Sequence, residues 1–380
     1  MSLEDLDVRR ARAALPRMDV AARLTGLQAD LDRLDPACDA VLITHLTNIR
    51  YLTGFTGSAA LLLVTPDSAL LVTDGRYEEQ AAGELEQAGV PVHLEIGRTV
   101  AVQRQALVGA SAAHGRLGLE AEQVTWADQQ RYEREWFPDV ELVPTHRVVE
   151  ARRAVKDEGE VARIELACAI ADAALASMAP HLEAGPTEAG FASELDGAMR
   201  RLGADDVSFE TIVASGPNGS RPHHLPSGRV VSRGDLVVID FGALVDGYHS
   251  DMTRTLAVGG ADALDATQRR MVEVVRASQA AGVAAVAPGV PTGDVDRACR
   301  EVIVEAGWGD AFVHGTGHGV GLDIHEDPRV PGTGDATLDV GHVVTVEPGV
   351  YLPGHGGVRV EDTVVVTPAG RRTLTRSPKS

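Results

Sequence analysis

The sequence is poor in cysteine, aromatic residues, positive charge and long apolar runs, and each shortage argues against a class of protein. Three cysteines, Cys38, Cys168 and Cys299, stand far apart in 380 residues, with no CxxC pair. A disulfide framework or a thiolate metal site is therefore not expected. Lys and Arg number 35 against 55 Asp and Glu, a formal charge of −20. Nucleic acid and anionic membrane surfaces demand clustered Lys and Arg, so neither is an expected partner. The acidic surplus serves solubility and can also gather metal cations. Apolar runs such as "AALLLV" fall far short of a membrane span. The opening "MSLEDLDVRRARAALPRM" contains no apolar h-region of a secretory signal. A cytoplasmic protein is the expectation. Aromatics at 4% leave the core to aliphatic side chains.

A chain of this length predicts two domains. From about residue 18 to 148, strand-like runs ("DAVLIT", "ALLLVT", "ALLVTD", "VHLEI", "LGLE") alternate with helical patterns. The latter are "VAARLTGLQADLDRL", "GRYEEQAAGELEQAG" and "TWADQQRYEREW". This pattern predicts an α/β layer domain over residues 1–150. Its chemistry looks thin: Asp74, Arg76 and Tyr77 stand out only for following a strand end. One helix through "EARRAVKDEGEVARIELACAIADAALASM", polar and then apolar, is read as the connection into a second domain, 151–380.

The second domain echoes itself. Pro186-Thr187 and Pro291-Thr292, 105 positions apart, each open a helical stretch that ends at a Gly with an acid close behind. Asp240 ends the strand "LVVID" and Glu347 ends "VVTVE", 107 apart; Asp251 and Glu361 each stand two before a Thr, 110 apart. Nearly constant offsets across three elements predict a duplicated helix–hairpin unit whose two curved sheets face each other under paired helices.

Asp240 follows the apolar run Leu236–Ile239, so its carboxylate is expected to be buried. Asp246-Gly247 favours a two-residue type I′ turn. That turn sets Val245 against Tyr248 and Asp251 against Gly242. Asp240 and Asp251 then share a sheet face as diagonal neighbours. The long loop "PGVYLPGHGG" leaves the register of Glu347 and Glu361 open. Four carboxylates carry a formal −4, which two divalent cations neutralise. Oxygen ligands with an imidazole suit Mn, Co, Fe or Zn.

Between these hairpins runs "HGTGHGVGLDIHEDP", with His314, His318 and His325. His314 and His318 are four apart, a spacing that on a helix would aim both at one metal. Gly315, Gly317, Gly319 and Gly321 oppose a regular helix and predict extended backbone packed close to the site.

The motifs "IDFGALVDGYHSDMTRT", "HGTGHGVGLDIHEDP", "TVEPGVY" and "GVRVEDT" resemble those of the pita-bread metallopeptidases, family M24. This group holds methionine aminopeptidase, prolidase and aminopeptidase P. "TNIRYLTGFTGSAALLLVT" and "VTDGRYEEQA" look like the creatinase-like N-terminal domain of the Xaa-Pro branch. The resemblance implies an α/β chain: a three-layer N-terminal α/β domain followed by a pita-bread α+β domain with a pseudo-two-fold repeat. It implies five ligands, Asp240, Asp251, His318, Glu347 and Glu361, for two divalent ions, with Mn2+ favoured and Co2+, Zn2+ or Fe2+ as alternatives. Asp240 would chelate one ion, Asp251 and Glu361 would bridge, and His318 and Glu347 would complete the other.

Glu347 would be the general base. His223 would contact substrate, and His325 would contact substrate and oxyanion. His314 would be an outer histidine near the substrate, and Arg359 a substrate-side residue steadying the carboxylates. Phe209 stands where some aminopeptidases P carry Tyr. Asp323, Glu326 and Asp327 drop out as ligands. The implied substrates are peptides with proline second, and the implied assembly is a homodimer or higher homo-oligomer. "NIRYLTGFTGS" and "DGRYEEQA" tilt the reading toward aminopeptidase P over prolidase, for which no carboxylate-capturing basic group is identified. A creatinase-like hydrolase would lack the metal set, and a non-enzymatic binding protein would show eroded ligands.

Overall fold

The computed structural model describes residues 7–379; residues 1–6, where the N-terminal stretch read above begins, lie outside it. Two compact units emerge, Met18–Arg153 and Ala154–Ser380 together with the stretch up to Arg17. The sequence reading put the whole N-terminus in the first domain. Instead the helix Val8–Ala13, capped by the Asp7 carboxylate, joins the second unit. Val8 packs there among Leu166, Ile170 and Met199, and Arg12 pairs with Asp205 at 2.6 Å.

The first unit is an α/β sheet of strands β1 (Ala40–Ile43), β2 (Ala60–Val64), β3 (Ala69–Thr73), β4 (His93–Ile96), β5 (Arg116–Glu120) and β6 (Glu141–Thr145), ordered β4-β3-β2-β1-β5-β6. The reading above found the first five. It missed β6, whose "ELVPT" carries a proline, tolerated because β6 is a sheet edge. It also missed the helix Leu46–Thr53, eight residues stopped by left-handed Gly54 and too short for a legible period.

The helix expected to join the domains is two helices, Val148–Ala154 and Glu158–Met178. Asp157 starts the second. Its carboxylate accepts from Glu160 N at 2.8 Å, while Glu160 accepts from Asp157 N at 3.0 Å. This capping box was present in "DEGE" and outweighs the helical propensity of the run.

In the second unit, the helix pair Glu158–Met178 and Glu188–Arg201 is echoed by Ala266–Ala285 and Thr292–Glu305. The strands are β7 (Asp206–Val207), β8 (Ile212–Ser215), β9 (Leu236–Phe241), β10 (Ala243–Val245), β11 (Tyr248–His249) and β12 (Met252–Ala257). They continue as β13 (Gly317–Gly319), β14 (Glu326–Val330), β15 (Val343–Val346), β16 (Gly349–Leu352), β17 (Gly356–Arg359), β18 (Asp362–Thr367) and β19 (Gly370–Thr373). They form sheets β12-β9-β8, β11-β10-β7, β14-β13-β15-β18-β19 and β16-β17.

Alternation decides which side chains face the site. Val237, Ile239 and Phe241 of β9 pack in one core with Leu166, Ile170 and Leu195 of the first helix pair. Val344 and Val346 of β15, with Val364 and Val366 of β18, pack in another with Met271, Val295 and Cys299 of the second. Side chains of odd-and-even neighbours point to opposite faces. Asp240 therefore stands on the face away from the helices, as do Thr345 and Thr363.

The first hairpin has the expected register: Val245 pairs with Tyr248, and the same ladder continues to Thr253 against Asp240. Asp246 and Gly247 both have positive φ, as a type I′ turn requires. Gly242 sits where this ladder breaks between β9 and β10. A Cβ there would meet Ser250 O at 1.9 Å, so no other residue fits without movement.

In the second hairpin Thr345 pairs with Thr363 and Val346 with Asp362. One further step in that register sets Glu347 opposite Glu361. The two carboxylate pairs are thus arranged differently, diagonal in the first half and opposed in the second.

The halves meet along β12 and the chain entering β18. Glu361 N donates to Thr253 O at 3.1 Å, Thr363 Oγ1 to Asp251 O at 2.7 Å, and Thr255 Oγ1 to Arg359 O at 2.9 Å. Buried Arg254 adds bonds to Ser377 O at 2.9 Å and to the Glu361 carbonyl, and pairs with Asp362 at 2.9 Å. Among the described residues, no helix is long and apolar enough to cross a membrane.

Candidate metal centre

The site lies where strand ends of both halves converge. Asp251, His318 and Glu361 are buried and bring ligand atoms within 4.8 Å of one another. His318 Nε2 lies 3.5 Å from Asp251 Oδ2 and 3.6 Å from Glu347 Oε1. Its Nδ1 lies 3.0 Å from Gly319 O, a carbonyl that needs a proton from Nδ1 and so leaves the Nε2 lone pair facing the acids. All five candidate ligands line one cavity of about 450 Å³, together with His223, His314, His325 and Arg359.

The electrostatics are those of a site built around positive charge. Burial pushes Asp251 and Glu361 well above the usual carboxylate range, and the neighbouring acids push the same way. Burial raises Glu347 to about 7, against the pull of Arg359. Burial drives His318 down to about 3, so its imidazole is neutral and able to ligate. Asp240 Oδ1 is buried with no hydrogen-bond partner. Buried acids that raise one another, an unpaired carboxylate oxygen and a neutral imidazole nitrogen fit divalent cations.

Arg359 is a buried cation among these acids, and it is committed to protein acceptors. Nη2 donates to Asp240 Oδ2 at 2.5 Å, Nη1 to Tyr351 OH at 3.0 Å and Nε to Thr253 Oγ1 at 2.9 Å. Thr253 Oγ1 in turn donates to Glu361 Oε2 at 2.7 Å. Arg359 thus steadies one carboxylate from each half. These bonds, with one from Nη1 to Pro222 O at 3.2 Å, occupy most of its side-chain donors. Tyr351, quoted in a motif but given no role from sequence, completes the chain by meeting His314 Nε2 at 2.9 Å.

The three histidines of the glycine-rich stretch part company. The backbone at Gly317–Gly319 is a strand, so His314 and His318 do not share a helix face. His318 faces Asp251 and Glu347. His325 is exposed, its ring centroid 4.3 Å from that of His318. His314 is pushed down to about 4 by burial. Of the adjacent pair in the loop, His223 lines the cavity while His224 Nε2 lies 3.3 Å from Glu188 Oε2. Glu326 pairs with buried Lys156 at 2.6 Å and takes no part in the centre. Arg329, which the sequence reading passed over, lines the cavity four residues after His325.

Gly317 is required by the close approach of β13 to β15. A Cβ there would lie 2.0 Å from Thr345 O. Gly317→Ala is expected to cost about 1–3 kcal/mol of stability and to weaken metal binding by displacing His318. Thermal unfolding and a metal titration check this, and an unchanged Tm would contradict the contact.

The profile of metallopeptidase family M24 matches residues 162–368, and that of the creatinase/prolidase N-terminal domain matches residues 23–155. An uncharacterized peptidase of Bacillus subtilis (strain 168) is 43% identical over 342 residues, 90% of this chain and 94% of that protein. The structure of an Xaa-Pro dipeptidase from Bacillus anthracis is similar with a TM-score of 0.89 at 34% identity, over 95% of this chain and 99% of that one. An X-Pro aminopeptidase from Thermotoga maritima MSB8 gives 0.83 at 34% identity, over 90% and 97%. The repeated unit and its acid-rich cavity fall within the first matched span, and the chain belongs to metallopeptidase family M24, with a creatinase/prolidase N-terminal domain preceding the peptidase domain.

Proposed function

We propose that this protein hydrolyses the bond between the first residue and proline at peptide N-termini, as an Xaa-Pro aminopeptidase. The observation that carries the reading is the convergence of four carboxylates and His318 in one cavity, with Asp240 Oδ1 buried and unpartnered. Asp240, Asp251, His318, Glu347 and Glu361 would hold two divalent ions, manganese first. When bound, such ions supply the Lewis acidity that activates water and polarises a scissile carbonyl.

The rest of the chemistry falls to the chain. Glu347, at the cavity, takes the proton from water and returns it to the departing proline nitrogen. His325 lies next to His318 and donates to the oxyanion as the carbonyl becomes tetrahedral. His223 meets the substrate from the loop opposite. Phe209, Ile212, Leu225 and Ile324 supply apolar wall for a pyrrolidine ring, which has no N–H to satisfy. Arg359 and Thr253 keep Asp240 and Glu361 in place.

The test compares Ala-Pro with Ala-Pro-Ala, with chelator and with Mn2+ restored. Cleavage of the tripeptide after its first residue, lost in chelator, is the expected result. Chelator-insensitive activity, or none on either peptide with metal restored, would sink the reading.

Arg329 favours a second reading, Xaa-Pro dipeptidase. A dipeptide's free carboxylate needs a cation at the cavity, and Arg329 is a guanidinium in its lining whose one hydrogen bond among the described residues is to the His325 carbonyl, at 3.4 Å. Under this reading Arg329→Ala raises KM for Ala-Pro about tenfold or more and leaves Ala-Pro-Ala little changed. Equal effects on both peptides would remove Arg329 from any such role.

A further inference from the structure

The loop that carries His223 is held by one buried acid that is not part of the cavity lining. Glu188, the first residue of the helix Glu188–Arg201, is fully buried. Its Oε1 accepts from Ser215 N and Ser215 Oγ, both at 2.7 Å, and from Asn218 Nδ2 at 3.0 Å. Its Oε2 meets Ser227 Oγ at 2.5 Å, Asn218 Nδ2 at 3.0 Å, Ser227 N at 3.1 Å and His224 Nε2 at 3.3 Å. Ser215 lies just before the loop and Ser227 near its far end. Asn218 and His224 lie between, and His224 is the neighbour of His223.

We propose that Glu188 is a positioning residue that closes the 215–227 loop around its carboxylate and so sets how far His223 reaches into the cavity. An ionised carboxylate is acceptor-only, which is what six converging donor groups need. No neutral side chain of that size offers the same, because an amide presents hydrogens to hydrogens at one of its two ends. A second anchor holds the loop through Arg359. Pro222 O accepts from Arg359 Nη1 at 3.2 Å, and Arg359 in turn holds Asp240. The residue before His223 is therefore tied to the metal centre while the residue after it is tied to Glu188. His223 itself is exposed and lines the cavity between these two anchors. The backbone amides of Glu188 and Ala189 donate to Arg229 O and Ser227 O, both at 3.0 Å, so the far end of the loop keeps a backbone dock when the carboxylate is altered. The altered loop is expected to loosen rather than unfold the domain.

This inference rests on the peptidase reading above for its kinetic arm, and a second arm is independent of it. Glu188→Gln is made alone and with His223→Ala, and Ser227→Ala is made as a milder variant should Glu188→Gln fail to fold. Hydrogen exchange of residues 216–228 is measured beside kcat/KM on Ala-Pro and Ala-Pro-Ala. Glu188→Gln is expected to speed exchange of that segment at least about tenfold with the rest of the unit unchanged. It should lower kcat/KM about tenfold or more in the parent, chiefly through KM, but less than about twofold in the His223→Ala background. Unchanged exchange, or an equal loss of kcat/KM in both backgrounds, overturns the proposal. If the parent cleaves neither peptide, the peptidase reading fails, and the exchange result alone decides whether Glu188 holds the loop.

Discussion

Asp251→Ala is expected to abolish tight metal binding and to lower kcat/KM on an Xaa-Pro peptide by about 10³-fold or more, on the order of 4 kcal/mol of transition-state stabilisation. Asp251 is the centre of the cluster. It is 4% exposed, His318 Nε2 lies 3.5 Å away, and Glu361, Asp240 and Glu347 all act on it electrostatically. Two buried acids nearby are already spent on cations, Glu326 on Lys156 and Asp362 on Arg254.

The same residue costs stability when metal is stripped, because burial and three neighbouring acids oppose its charge. In chelator near neutral pH, Asp251→Asn should therefore be more stable than the parent, while the metal-loaded parent exceeds both. Metal content by elemental analysis and melting with and without chelator check both halves. Retention of two tightly bound ions by Asp251→Ala would contradict the ligand assignment. A stripped parent as stable as stripped Asp251→Asn would contradict the repulsion.

The second large effect is a pH dependence whose sign turns on metal. Glu347 is raised from an ordinary 4.5 to about 7, and Asp251 and Glu361 are raised further in the same direction. A carboxyl raised on folding favours the folded state while protonated. That contribution is whole below about pH 4.5 and is lost as pH climbs through about 7, on the order of 3 kcal/mol for Glu347 alone. In chelator, Tm should fall as pH rises from about 5 to about 8. With metal bound the trend reverses, because the ions require the deprotonated acids and reward their ionisation. The gap between loaded and stripped melting curves should widen with pH. Parallel curves would mean the acids do not share a cation.

Much of the site was legible because its chemistry is written in strand ends and short motifs. "LVVID" announced a carboxylate at the end of a buried strand, and the Asp246-Gly247 turn set the register that the ladder shows down to Thr253 and Asp240. The glycines of "HGTGHGVG" pointed to extended backbone, and Gly317 meets Thr345 O closely enough to explain one of them. Less of the scaffolding was legible. Arg254 looks like one arginine among many in the sequence, yet it is buried with its donors spent on the Glu361 carbonyl, Asp362 and Ser377. Tyr351 sat inside a recognised motif without a role, since its partner His314 lies 37 positions away. Arg329 carried no local signal beyond being a cation after three acids.

The sequence by itself determined the elements and the chemical inventory: the duplicated helix–hairpin pattern, the type I′ turn, the acids at strand ends and the extended histidine stretch. Those are local matters of period, capping and residue type. Tertiary structure decided what those groups do to one another. It set Glu347 against Glu361 in a register the long loop concealed, turned His224 to Glu188 and His223 to the cavity, and spent Arg359 on Asp240. It also moved the helix after Asp7 into the peptidase unit. The reason is physical: burial, charge repulsion and hydrogen-bond saturation depend on distances between residues more than a hundred positions apart, as between Thr253 and Glu361, and no local pattern records them.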